Sequence, residues 1–189
     1  MEELDRFICE LMRIRRCIQV YVELYTLPKS TDVLNKFAGD VFGVIQRSMH
    51  DEIILSISRL YDGKEYKRGG EIYENLSQLN VVSKYENLLT EKLKRLREET
   101  STLLNNIEIK TYRDWKCAHN EKETSLGKRG TISHKITSEN IIALIEKSLE
   151  LIIGIKSEIE KSESVSIPVM LNEKYEGKGK AFVQKLNEI

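Results

Sequence analysis

Apolar residues recur along this chain with the period of a helix. Leu4, Ile8, Leu11, Ile18, Val22 and Tyr25 fall three, four or seven positions apart, which predicts a first helix over about residues 3–26. Arg15 lies inside that stripe with Arg13 and Arg16 beside it, and reads either as the edge of the apolar face or as a phosphate contact. Past Leu27-Pro28-Lys29, the cluster Ser30-Thr31-Asp32 supplies N-cap chemistry for a second helix over about 32–62. One of its stripes is apolar, through Phe42, Ile45, Met49, Ile53, Ile57 and Leu60. Another, Ser48, Glu52, Ser56 and Arg59, is polar at the same spacing. It either meets solvent or lines a polar cleft in which Arg59 pairs with Asp62. Gly39 and Gly43 each cost roughly 1 kcal/mol relative to alanine in a helix, and so predict a helix packed closely there, within the chain or between subunits.

Gly63 to Asn80 reads as a basic loop, with Lys64, Lys67, Arg68 and the Gly69-Gly70 pair, followed by a short helical piece near Asn75-Leu76-Ser77. Ser83-Lys84-Tyr85-Glu86 matches a capping box and opens a third helix through Leu89, Leu93, Leu96, Leu103 and Ile107, continuing to Ala118 after a break near Asn105-Asn106. Glu121 to Lys135 is a polar, locally positive loop. Thr137 or Ser138 caps a fourth helix whose core face is Ile141, Ile145, Leu149, Ile152, Ile155 and Ile159. The tail holds a short extended piece before Pro168 and a small helix after Gly179. Four long amphipathic helices with polar connections predict an all-α bundle over 1–164, with a C-terminal extension over 165–189 packed on or beside it.

Composition supports this and narrows the partners. With 189 residues, 40% of them hydrophobic, the chain is long enough to bury a core, and two prolines leave long stretches free for helices. Thirty basic residues balance thirty acidic ones, so a nucleic acid or an acidic surface is not advertised by the whole-chain field and must be met locally. No apolar run approaches the roughly 18 residues of a membrane span, and the acidic start Met1-Glu2-Glu3-Leu4-Asp5 is unlike a signal peptide. Cys9, Cys17 and Cys117 lack metal or disulfide spacing. The expectation is a cytoplasmic protein without membrane, metal or cofactor.

Candidate chemistry is concentrated in Tyr112-Arg113-Asp114-Trp115-Lys116-Cys117-Ala118-His119-Asn120. A permanent cation, a carboxylate and a near-neutral proton carrier beside a basic loop suit phosphodiester chemistry. Arginine can neutralise charge growing on phosphoryl oxygens, and histidine, with a reference pKa near 6.5, can carry a proton at working pH. The bland alternative is a helix end packed through Trp115, Cys117 and Ala118, with Arg113 and Asp114 solvated and His119 at the helix dipole.

Arg113-Asp114 followed by His119, with five residues between arginine and histidine, resembles the motif of HEPN ribonucleases. Within that superfamily the chain looks most like the abortive-infection, AbiU-type branch. That likeness rests on three segments in order: Asp51-Glu52-Ile53-Ile54-Leu55-Ser56-Ile57-Ser58-Arg59-Leu60-Tyr61-Asp62, Asn75-Leu76-Ser77, and Ala118-His119-Asn120. The resemblance implies a HEPN-like bundle and a homodimeric, metal-independent endoribonuclease acting on single-stranded RNA. The ribose 2′-hydroxyl would attack the adjacent phosphate and leave a cyclic phosphate, in phage defence or a toxin–antitoxin pair with a partner protein. Arg113 would stabilise the pentavalent transition state, His119 act as general base or acid, and Asp114 orient one of them. Asn120, Glu52, Arg59 and Lys116 are the supporting candidates. The alternative is a catalytically silent HEPN-like module that binds a nucleotide, an RNA or a protein. Six residues of ideal helix turn roughly 600° and rise about 9 Å, so Arg113 and His119 cannot share one face of a straight helix. Either the helix ends before His119 or two chains build the site. HEPN toxins silenced by a nucleotidyltransferase carry a tyrosine two residues past the histidine, where this chain has Glu121.

Overall fold

The computed structural model describes residues 1–114, 135–163 and 177–188. It is an all-α bundle: α1 (Glu2–Tyr25), α2 (Pro28–Leu60), α3 (Gln78–Ser83), α4 (Glu91–Ile107), α5 (Ile109–Tyr112), α6 (Ser138–Glu163) and α7 (Lys178–Asn187). One exposed antiparallel hairpin, β1 (Glu65–Arg68) and β2 (Glu71–Glu74), projects after α2. Helix α1 packs against α2, α6 and α7, while α4 packs against α6. The core gathers Leu4, Phe7, Leu11 and Ile14 of α1, Ile54 and Ile57 of α2, and Leu144, Ile145, Leu151 and Ile152 of α6, all almost fully buried. No helix among the described residues is long and apolar enough to cross a membrane.

Where α4 and α6 cross, a Cβ on Gly154 would lie 2.4 Å from Leu93 Cδ2, so glycine is what lets the helices touch. Two part-buried polar contacts tie α1 to its neighbours. Lys156 of α6, 4% exposed, bonds Asp5 Oδ1 at 2.6 Å. Arg13 Nη1 reaches Glu52 Oε1 and Nη2 reaches Ser56 Oγ, each at 2.9 Å, and Ser56 Oγ donates to Glu52 at 2.7 Å. The Ser56 bond, ahead of the cost of burial and the Arg13 bond, holds the Glu52 carboxyl below its ordinary range.

Several sequence expectations are corrected. The basic stretch after α2 is a hairpin rather than a loop, because Gly69 (φ 60) and Gly70 (φ 87) supply the two positive φ angles of a tight two-residue turn. Ser83 does not open the third helix. It closes α3, its hydroxyl donating to Asn80 O, and α4 starts at Glu91 with Thr90 accepting from Leu93 N. The intervening Leu88 and Leu89 turn to the core between the two helices. The break expected at Asn105-Asn106 falls at Glu108, the one non-glycine with positive φ (55°) among the described residues. Ile107 and Ile109, each 1% exposed, pin the chain on both sides of that corner. The polar stripe of α2 divides, Glu52 and Ser56 facing Arg13 while Ser48 and Arg59 are exposed. Its apolar stripe holds only in the second half: Ile53, Ile57 and Leu60 are buried, but Ile45 is 39% exposed. Helix α2 is an edge helix whose main described neighbours are α1, α5 and α7. Neither glycine of α2 brings another helix close, since a Cβ on Gly43 would meet nothing and one on Gly39 only Asn35.

The sequence predicts the small C-terminal helix but not how it docks. Glu23 of α1, 1% exposed, receives the backbone N–H of Gly177, Gly179 and Lys180 at 2.7, 2.7 and 3.3 Å, and the Gln19 amide at 2.7 Å. A carboxylate from a different helix thus caps the start of α7, while Val183 closes on Leu24 and Leu34. Burial alone would raise the Glu23 carboxyl, but these four donors outweigh it and hold it low.

Two outcomes follow. Gly179→Ala puts a Cβ 2.8 Å from Glu23 Cβ, and should cost about 1–3 kcal/mol in chemical denaturation while making α7 sensitive to protease; unchanged stability and protection would refute the docking. Because the Glu23 carboxyl is depressed on folding, its contribution is present above the ordinary value of 4.5 and lost as pH falls below it. The parent should therefore exceed Glu23→Gln in stability at pH 7, and the gap should close below pH 4.5 in parallel melts.

Candidate functional site

Two of the three segments that carry the resemblance meet at the junction Asp62-Gly63, just past the end of α2, and the third, Ala118-His119-Asn120, lies outside the described residues. The Gly63 carbonyl accepts from Asn75 Nδ2 at 2.9 Å and from Ser77 Oγ at 3.2 Å. Ser77 also caps α3, accepting from Asn80 N. The Asn-Leu-Ser segment therefore clamps the base of the hairpin and fixes the loop that carries Asp62.

Arg113 arrives at that loop from the other side. The corner at Glu108 ends α4 and starts the short α5, after which the chain widens into a π turn at Arg113-Asp114. A left-handed non-glycine costs about 1–2 kcal/mol, offset here by burial of the flanking isoleucines. The Arg113 side chain is 22% exposed. Its Nε donates to Asp114 Oδ1 at 2.8 Å, Nη2 lies 2.7 Å from the same oxygen, and Nη1 lies 3.5 Å from Asp62 Oδ1. Lys110 Nζ stands 3.6 Å from that Asp62 oxygen. Partial burial would lower the Arg113 pKa, but the bond and charge of Asp114 and the charge of Asp62 raise it, so the guanidinium is a fixed cation held by two carboxylates.

Of the residues singled out in the sequence, Arg113 and Asp114 are brought together. Glu52 is committed to Arg13 and Ser56, and Arg59 is exposed, its charge reaching Glu52. Asp62 pairs with Arg113 and Lys110, not with Arg59 as expected. Lys116, His119 and Asn120 lie outside the described residues, as does the basic loop up to His134. Two residues escaped the sequence reading. Lys110 stands one turn before Arg113, and the His50 ring packs edge-on against Tyr112 at 5.8 Å with Nδ1 3.2 Å from Asp51. The signal for His50 was its place on α2, about three turns before the loop that carries Asp62. Among the described residues no three His, Cys, Asp or Glu side chains gather as metal ligands.

A cation aimed by two carboxylates and flanked by a second cation is chemically suited to meet a phosphate. No curated protein and no solved structure matches this chain. A family model described as AbiU2, of the HEPN domains, matches residues 1–182 and so spans the bundle and the first half of the C-terminal helix. On that match the chain belongs to the HEPN AbiU2 family, an abortive-infection type of HEPN domain.

Proposed function

We propose that this protein is a metal-independent endoribonuclease that cuts single-stranded RNA in phage defence or in a toxin–antitoxin pair. The observation that carries the reading is Arg113, a guanidinium preset by Asp114 and Asp62 in a member of this family. In the proposed step a ribose 2′-hydroxyl loses its proton to a base and attacks the neighbouring phosphorus. The 5′-oxygen departs with a proton from an acid, leaving a 2′,3′-cyclic phosphate. His119 fills one of the two proton-transfer roles, Arg113 neutralises the pentavalent phosphorane, and Asp114 holds the guanidinium in register.

Arg113→Ala is expected to lower the cleavage rate of single-stranded RNA by about 10²–10³-fold, and His119→Ala by about 10²–10⁴-fold, with circular dichroism unchanged and EDTA without effect. Arg113→Lys restores charge without the planar fork and should recover only part of the loss. If the alanine variants cut as fast as the parent, the assignment is wrong. In cells, expression of the parent should arrest growth where Arg113→Ala does not.

A second reading, a silent module that binds a nucleotide or RNA, draws on a different place. An apolar cavity of about 490 Å³ beside the hairpin is walled by Tyr61, Leu79, Val82 and Leu104, and includes the largely buried Gln78. The Gln78 amide oxygen accepts no hydrogen bond among the described residues. That reading predicts nucleotide or RNA binding that weakens with salt and yields no product.

A further inference from the structure

The hairpin β1–β2 projects from the bundle with every strand residue exposed, so no demand of the core explains which side chains it carries. A two-stranded ribbon on its own is marginal in water. This one is held at its base by the grip of Asn75 and Ser77 on the Gly63 carbonyl, and at its tip by the Gly69-Gly70 turn. The side chains between those anchors are available to something outside the fold.

Its two faces differ. Tyr66 pairs across the ribbon with Tyr73 and Arg68 with Glu71, and the bond from Asn75 N to Lys64 O at 2.8 Å carries the ladder one pair further toward the base. Strand side chains alternate, so Lys64, Tyr66 and Arg68 share one face with Glu71 and Tyr73. The tyrosine rings stack with centroids 5.4 Å apart and an interplanar angle of 21°, yet Tyr66 remains 47% exposed and Tyr73 41%. Lys64 and Arg68 flank Tyr66, each roughly 7 Å from it along the strand. Neither cation has an ion-pair partner among the described residues, while Glu71 accepts the Tyr73 hydroxyl. The reverse face, with Glu65, Lys67, Ile72 and Glu74, has no aromatic ring and sets two carboxylates beside one cation.

An aromatic pair between two cations matches what a single-stranded nucleic acid presents, a π face on every base and a phosphate on every nucleotide. Duplex RNA fits less well, because its major groove is too deep and narrow for side chains to read. A protein segment adding a strand would engage the ribbon's edge, not this face. The pair also stands near the proposed site. Tyr66 comes four residues after Asp62, so their Cα atoms are at most about 14 Å apart, and Arg113 and Lys110 both meet Asp62.

We infer that the Tyr66–Tyr73 face of the hairpin is a platform for single-stranded RNA, where bases stack on the tyrosines and Lys64 and Arg68 take the flanking phosphates. Its purpose, holding the strand a few nucleotides from Arg113, rests on the nuclease reading; the binding itself does not.

The test titrates the full chain against a labelled single-stranded RNA with 2′-O-methyl riboses, which lack the attacking hydroxyl and stay intact. Tyr66→Ala should weaken binding about tenfold, while Tyr66→Phe, which keeps the ring, should bind like the parent. Arg68→Gln should lower the slope of log affinity against log salt by about 0.7, the share of one phosphate on a single strand. Lys67→Gln removes the same charge one residue away, from the reverse face, and should change neither affinity nor slope. Bulk attraction to a basic ribbon would not separate these two variants. No binding by the parent, a preference for the duplex, equal losses in Lys67→Gln and Arg68→Gln, or full affinity in Tyr66→Ala would overturn the platform. On cleavable RNA, Tyr66→Ala should raise KM about tenfold and leave kcat unchanged. Cutting with an unaltered KM refutes only the platform, and binding through Tyr66 without any cutting refutes only the nuclease.

Discussion

Helix α1 is the constraint to which the rest of the bundle answers. It is the shared neighbour of α2, α6 and α7, so its apolar residues must serve three packing partners while its polar residues find partners on the way. Each neighbour is secured to it by at least one such bond: α2 through Arg13, α6 through Asp5 and Arg15, α7 through Glu23, and the end of α3 through Glu3 and Lys84. The exposed pairs contribute little free energy, about 0–1 kcal/mol each. Their value is in register, since sliding α2 by one turn would break the bonds of Arg13 to Glu52 and Ser56 and leave buried Ser56 without its donor.

The same economy governs the site. Arg113 belongs to a part of the chain that comes late, after the corner at Glu108, while its carboxylate Asp62 belongs to the end of α2. What fixes their meeting is backbone chemistry at one peptide, the Gly63 carbonyl, which Asn75 and Ser77 both grip. The Asn-Leu-Ser segment thus acts at a distance from the phosphate chemistry proposed for Arg113: it holds the loop that aims it.

Much of this was readable from the sequence. Four long helices follow from period alone, because Ile53, Ile57, Ile145, Ile152 and their neighbours must be on one side of a cylinder to leave water. Thr137 as a cap was legible for the same local reason, and it accepts from Asn140 N as expected. What failed was non-local. The capping-box letters at Ser83 to Glu86 were satisfied otherwise, with Glu86 taken by Arg97 and Ser83 by its own short helix. Nothing in the run around Glu23 announces that its carboxylate caps a helix more than 150 residues later. The stripe on α2 shows the limit most plainly: period tells that a helix has apolar faces, and only the fold tells which of them is covered.

The pairing of Arg113 with its own carboxylates also fixes how any incoming anion would be received. A free guanidinium sheds loosely held salt ions when a phosphate arrives, and its affinity falls steeply with ionic strength. Arg113 already holds Asp114 and Asp62, so a phosphate must take the place of a tethered anion that cannot diffuse away. The arrangement works as an ion exchanger with its counterion built in. Its occupancy is set by how well the newcomer fits the guanidinium fork more than by how much salt surrounds it, which favours a phosphate held in place over one merely passing.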